Sequence, residues 1–488
     1  MRFPARFLAA AASIAMLLPV CGFLPDAAQA PSADIIVTAA PVYEPLAALR
    51  GGERFPKGAQ LLLVHSGKAE PLVKGFAASA DANVFFDGKM VLFAGKQAAS
   101  DPWQIWELTL ADRSVRKVIA TATDAICPFY LPGGRMVWAQ HEPWGFQLES
   151  AEDGHLPGYT FLNPTAGPGV LPLTYMQASA FPSDVLADGR ILFEAGFPLG
   201  AGATPELYLI YADGSGVESY RCDHGRARWG GRQLASGDVV FTHGTSLARF
   251  TSPLAAETHI AAPHAEYAGE IAETASGAWL VSARDASNMY YAIKSWKPGS
   301  PALHTVFAVS NENLVEPVLV APRTTPRRHP SGLHDWDYAN MLSLDARQSR
   351  EGDLKVTPES TPMLVRLEML DTAGRTVVMG TAPVEIDGSF FAKVPADKPI
   401  RFALLNAKGA VVRQEHGWFW IRRGEQRICV GCHVGPERAS ENRVPAVLLR
   451  STTPADLTSA APAEAPQQKS PESPRAGLRP GSGSPGGN

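Results

Sequence analysis

The sequence predicts an all-β protein of about six β-propeller blades followed by a small β-sandwich-like domain. Three observations predict it. A phrase of tight turn then apolar strand recurs five times at intervals of 40 to 55 residues. The 44 Gly and 41 Pro among 488 residues suit many short turns. Beyond residue 320 the interval is lost, yet short apolar strands separated by turn residues continue.

The phrases are Asp87-Gly88-Lys89-Met90-Val91-Leu92-Phe93, Gly133-Gly134-Arg135-Met136-Val137-Trp138, Asp188-Gly189-Arg190-Ile191-Leu192-Phe193, Ser236-Gly237-Asp238-Val239-Val240-Phe241 and Ser276-Gly277-Ala278-Trp279-Leu280-Val281. Gly88, Gly134, Gly189, Gly237 and Gly277 are spaced by 46, 55, 48 and 40 residues, the length of a four-stranded blade. Leu61-Leu62-Leu63-Val64 adds a strand that completes the ring from the N-terminal side, so the propeller is placed in residues 31–320.

Pro322-Arg323-Thr324-Thr325-Pro326-Arg327-Arg328-His329-Pro330 interrupts the repeat and reads as a linker. A small β domain is expected over 321–450. Met363 to Met369 and Phe390 to Val394 read as its strands, and Asp371-Thr372-Ala373-Gly374, Asp387-Gly388-Ser389 and Asn406-Ala407-Lys408-Gly409 as its turns. From Ser451 to Asn488 aromatics vanish and Ser, Pro, Ala and Gly dominate, which predicts an unfolded tail.

The first thirty residues carry an address. Arg2 and Arg6 precede an apolar run from Phe7 to Val20, and Ala28-Gln29-Ala30 has the small-x-small pattern of a cleavage site. This predicts a leader removed near Ala30 and a periplasmic or secreted protein. Attachment of lipid at Cys21 is the alternative, weakened by the bulky Val20 before it. With 44 Lys+Arg against 48 Asp+Glu, the formal charge of -4 builds no single-signed surface, so nucleic acid is excluded as a partner.

Chemistry concentrates at Cys429-Val430-Gly431-Cys432-His433. Two thiols separated by two residues can add to the two vinyl groups of one haem, and the adjacent imidazole can meet the iron from one side. At this chain's Cys and His frequencies the pattern would arise by chance in roughly one chain in 800. A zinc site would need two further ligands at short spacing, and none stands nearby. One covalent haem c is therefore expected, with Cys429 and Cys432 as thioether sulfurs and His433 as proximal ligand.

From Val434 to Asn488 there is neither Met nor His, so a sixth iron ligand must come from upstream. His416 is the nearest His, with His329, His334, Met379 or an open position as alternatives. Trp418 and Trp420 are candidates to wall the haem, and Arg422, Arg423 and Arg427 to pair with its propionates. Cys127 and Cys222 remain in the mature chain, and in an oxidising compartment a disulfide between them is expected.

The ordered phrases Ala382-Pro383-Val384-Glu385-Ile386-Asp387-Gly388-Ser389-Phe390-Phe391, Val394-Pro395-Ala396-Asp397-Lys398-Pro399 and Gly424-Glu425-Gln426-Arg427, followed by the C-x-x-C-H motif, resemble the C-terminal region of hydrazine synthase alpha subunit-like proteins. The blade phrases resemble the TolB-like, or WD40-like Pro-Asp, repeats of the same proteins. The resemblance implies a six-bladed propeller followed by a haem-bearing domain, and a possible place in a multi-subunit complex. It does not hand over the activity, because hydrazine synthase uses more than one haem and this chain has one motif.

Three functions fit: electron transfer to a redox protein partner, with the propeller docking or scaffolding; a haem enzyme with an open iron position; or a propeller binding protein with a structural or sensory haem. The first is favoured.

Overall fold

The structure, a computed structural model, describes residues 33–152, 169–196, 204–221, 225–349, 352–357, 359–415, 417–431 and 443–460. The leader with Cys21, and Cys222, His416, Cys432 and His433, lie outside the described residues. The chain divides into two compact units. The first runs to His329 without 174–177 and 213–217; the second comprises those two segments with 330–488.

The first unit is a six-bladed propeller. Its inner strands are Ala78–Val84, Ala125–Leu131, Ala180–Val185, Arg228–Gln233, Glu266–Glu273 and Asn313–Val320, and each neighbours the next in a closed ring. Blades one to five are four-stranded antiparallel sheets in simple chain order. Blade six is composite: Asn313–Val320 pairs with Asp34–Ala40, which pairs with Gln60–His65 and then Lys68–Pro71. Ile35 opposes Leu319, so the first described strand locks the last.

Each recurring phrase proves to be the turn into the second strand of its blade. Four residues past each glycine stand Leu92, Trp138, Phe193, Phe241 and Val281, all buried in the packing between blades. Burial of each large apolar side chain contributes about 1.5–3 kcal/mol. The aspartates of these turns work locally: Asp87 Oδ1 accepts from the Lys89 N–H and Asp188 Oδ1 from the Arg190 N–H.

The expected linker is a strap on the propeller. The Arg323 N–H donates to the Phe86 carbonyl, the Arg323 guanidinium lies 4.6 Å over the Phe86 ring, and the Arg327 N–H donates to the Ala187 carbonyl. The strap therefore crosses the turns of blades one and three. It explains one glycine beyond its φ of +90°: a Cβ on Gly189 would stand 2.1 Å from the Arg327 carbonyl oxygen.

The second unit is a sandwich of two four-stranded sheets. One has the order Gln426–Cys429, Tyr338–Ser343, Phe390–Pro395, Ala455–Asp456; the other Thr376–Pro383, Leu364–Leu370, Ile400–Leu405, Val411–Gln414. Met341, Phe390, Ala392 and Val394 face Val365, Leu367, Phe402 and Leu404 across a common core. Both outer strands of the first sheet pair in parallel.

The unfolded tail expected from Ser451 starts too early. Ala455–Asp456 completes a sheet and Leu457 is buried in the sandwich core. One apolar residue anchors a stretch whose overall composition predicts disorder.

The strap contact generates a paired test. Gly189→Ala should cost more than about 2 kcal/mol, because a clash adds to the strain of a positive φ. Gly237→Ala, with the same φ of +90° but nothing within 4 Å of the added Cβ, should cost about 1 kcal/mol. Denaturant unfolding of both variants reads the difference. Equal costs would mean that the strap does not press on the turn.

Candidate functional site

Cys429 ends the edge strand Gln426–Cys429, which pairs in parallel with Tyr338–Ser343 so that Cys429 stands beside Ser343. The carbonyls of Cys429 and Val430 accept from the N–H groups of Leu344 and Asp345, so the backbone is held up to the first thiol. Cys429 is half-buried and packs against the sandwich core. Burial pushes its thiol pKa up, against a smaller opposing pull from Arg427, which keeps the sulfur as S–H at neutral pH.

The basic residues upstream are unequally committed. Arg422 is buried and pairs with Asp397 at 2.9 Å, while Arg427 pairs with Glu425 at 2.8 Å. Arg423 has a side chain 62% exposed and only a 3.8 Å contact with Asp397. Of the three, Arg423 is placed to reach an external anion. Trp420 is buried with its indole N–H lacking a hydrogen-bond partner, and Trp418 lies under the Arg401 guanidinium.

The candidate sixth ligands part company. Met379 is a core residue of the sandwich. His329 stacks on Tyr211, with ring centroids 3.9 Å apart, in the first unit. His334 lies against the strand that carries the motif: its N–H donates to the Gly424 carbonyl, and its Nε2 is 2.8 Å from the amide of Gln426.

Cys127 is a free, buried thiol on the inner strand of blade two, and Cys222, its expected disulfide partner, lies outside the described residues.

A second polar centre, invisible in the sequence, occupies the ring of inner strands. Register breaks in these strands put Asp81, Cys127 and Glu316 in the left-handed region at φ of 61°, 52° and 56°. Arg54 joins Asp81 to Glu316, Thr38 Oγ1 donates to Glu316, and the Cys127 N–H donates to Asp81. A cavity of about 200 Å³ opens beside Arg54 and Asp81, lined also by Trp103, Asp124, His141 and Phe146.

Glu194 and Glu270 complete the centre. Glu194 accepts from the Gly230 N–H at 2.7 Å. Desolvation, then repulsion from Glu270, pushes Glu194 up to about 7. Desolvation, then Asp81, does the same to Glu316 despite Arg54. The residues come from five blades and one loop, so no local motif could reveal the group.

Residues 353–434 match the hydrazine synthase alpha subunit middle domain, a segment that includes Cys429, Cys432 and His433. The match lies within the second unit and spans its strands from Leu364–Leu370 to Gln426–Cys429. The fold resembles that of hydrazine synthase from Kuenenia stuttgartiensis, with a TM-score of 0.72 at 18% identity over 86% of this chain and 71% of that one. TolB from Acinetobacter baumannii is more distant, with a TM-score of 0.42 at 11% identity over 59% of this chain and 66% of that one. No curated protein matches the chain.

The axial carboxylates generate a pH prediction. A carboxyl raised from about 4.3 unfolded to about 7 folded binds more protons in the native state, so its contribution to stability falls as pH rises from 4.5 to 7. Glu194→Gln should remove part of that decline, leaving the variant more stable than the wild type at pH 8 by on the order of 1–3 kcal/mol relative to pH 4.5. Parallel stability–pH curves from thermal unfolding would show that Glu194 is ionised throughout.

Proposed function

We propose that the chain is an exported one-haem c-type cytochrome that passes electrons to a redox protein partner. Cys429 and Cys432 would supply the thioether sulfurs and His433 the proximal imidazole. The observation that carries the reading is the attachment motif at the end of a fixed edge strand, inside the segment that matches the middle domain.

The residues present fit a haem. Ile428 and Val444, on either side of residues 432–442, are 65% and 59% exposed, apolar surface that a macrocycle would cover. Arg423 has the exposure to meet a propionate. Bound there, haem would supply a one-electron couple. The chain's own part is to hold the first sulfur on a rigid strand, as a thiol until attachment, and to leave Arg423 for an anion.

His416 remains the first candidate for the distal ligand, because nothing downstream of His433 can coordinate. His334 is the second, since it is bonded to the strand three residues before Cys429. A leader cut near Ala30 would send the protein across the membrane, and no helix among the described residues is long and apolar enough to hold it there. The matched family is named for a subunit, which supports a place in a larger assembly.

The same family name favours a second reading, a haem enzyme with an open iron position. Two measurements decide. Intact mass after acid and organic extraction should show a chain beginning near Pro31 that retains one haem, and a haem that washes out of the wild type would sink the proposal. The reduced wild type should not bind carbon monoxide, whereas His416→Ala should turn high-spin and bind it. Ready binding by the wild type would put the enzyme reading ahead. A closed wild type with an unchanged His416→Ala spectrum would pass the ligand role to His334.

A further inference from the structure

Blade four carries a cluster that the haem reading does not use. His243 ends the strand Val239–His243, where the chain turns back through Gly244 and Thr245. His259 ends the outermost strand Thr258–His259, and Glu257 immediately precedes it. One ligand atom from each of His243, Glu257 and His259 lies within 4.8 Å of the others. His243 Nδ1 is hydrogen-bonded to Glu257 Oε1, and His259 Nε2 is 3.7 Å from the same oxygen.

The carboxylate is oriented from behind. Arg228, whose side chain is 1% exposed, donates from Nε to Glu257 Oε2 at 2.7 Å and pairs through Nη1 with Glu206. Arg228 stands opposite His243 across the first two strands of the blade, so the fold fixes both partners of Glu257. One carboxylate oxygen is held by the guanidinium while the other faces two imidazoles. An outer-shell donor that pins one oxygen and leaves the second for an ion is how proteins orient metal-binding carboxylates.

We propose that His243, Glu257 and His259 bind a divalent transition metal ion of the Zn2+ class. Two imidazoles and one carboxylate suit zinc and its neighbours, whereas calcium and magnesium take oxygen sets. At zinc distances of about 2.0–2.2 Å, ligand atoms of a tetrahedral site stand about 3.3 Å apart. His259 must approach Glu257 by about 0.4 Å, and His243 must trade its hydrogen bond for the metal. His259 is 65% exposed and Glu257 only 12%, so the site has a closed floor and an open side where a fourth ligand can enter.

Isothermal titration of the full chain with Zn2+, repeated with Co2+ for its visible spectrum, tests the site. Wild type and the His259→Ala, His243→Ala and Glu257→Gln variants are compared, so that any uptake elsewhere on the chain is common to all. The wild type should take up one more equivalent than the variants, or bind it at least tenfold more tightly, with a four-coordinate Co2+ spectrum that the variants lack. Equal stoichiometry and affinity in wild type and His259→Ala would overturn the site. Because the His259 side chain is mostly in solvent, that variant decides the matter should His243→Ala fail to fold.

Discussion

The propeller depends on one long-range closure. Asp34–Ala40 must find Asn313–Val320 before blade six exists, and Thr38 and Glu316, hydrogen-bonded side chain to side chain, are 278 residues apart in sequence. Bringing such distant segments together costs loop entropy, and only the completed ring returns it, because every inner strand then has a neighbour on both sides. Arg54 reinforces the seam. It comes from the loop after the closing strand and grips Asp81 of blade one and Glu316 of blade six, bridging the two blades that meet at the join.

The same seam explains why the axis is polar. A register break in an inner strand turns a side chain that would enter the packed space between blades toward the centre of the ring. Asp81, Cys127 and Glu316 reach it at positive φ, a conformation of order 1–3 kcal/mol uphill for each. That strain persists because the paired residues around it are held on both sides. Truncating one partner of the Arg54 pairs would leave a buried charge unpaired, which is why such groups are costly to break even when they add little net stability.

The blades were legible because their signal is local and repeated. A turn with a glycine and a strand with a large apolar residue four positions later identify each second strand without knowledge of its neighbours. Asp34–Ala40 escaped that reading: it has no turn phrase, and its partner lies at the far end of the unit. The axial carboxylates escaped for the same reason, as did Glu257, which is marked only by its pairing with Arg228 and His243. The strap over Gly189 shows a further limit. A glycine chosen for a turn is also chosen for what passes 2.1 Å from its missing side chain, and the sequence displays only the first requirement.

In the second unit, chain order and spatial order differ in a way that bears on chemistry. Gln426–Cys429 does not pair with its predecessor in sequence; it joins Tyr338–Ser343 in parallel, and Gly424 allows the turn into it by lying against His334, where a Cβ would be 1.9 Å from the carbonyl oxygen. The first thiol of the motif is thus positioned by the start of the domain. A change at His334 or Gly424 would shift Cys429 through the backbone, without touching the motif. The motif fixes which atoms can react, whereas the parallel pairing fixes where they stand.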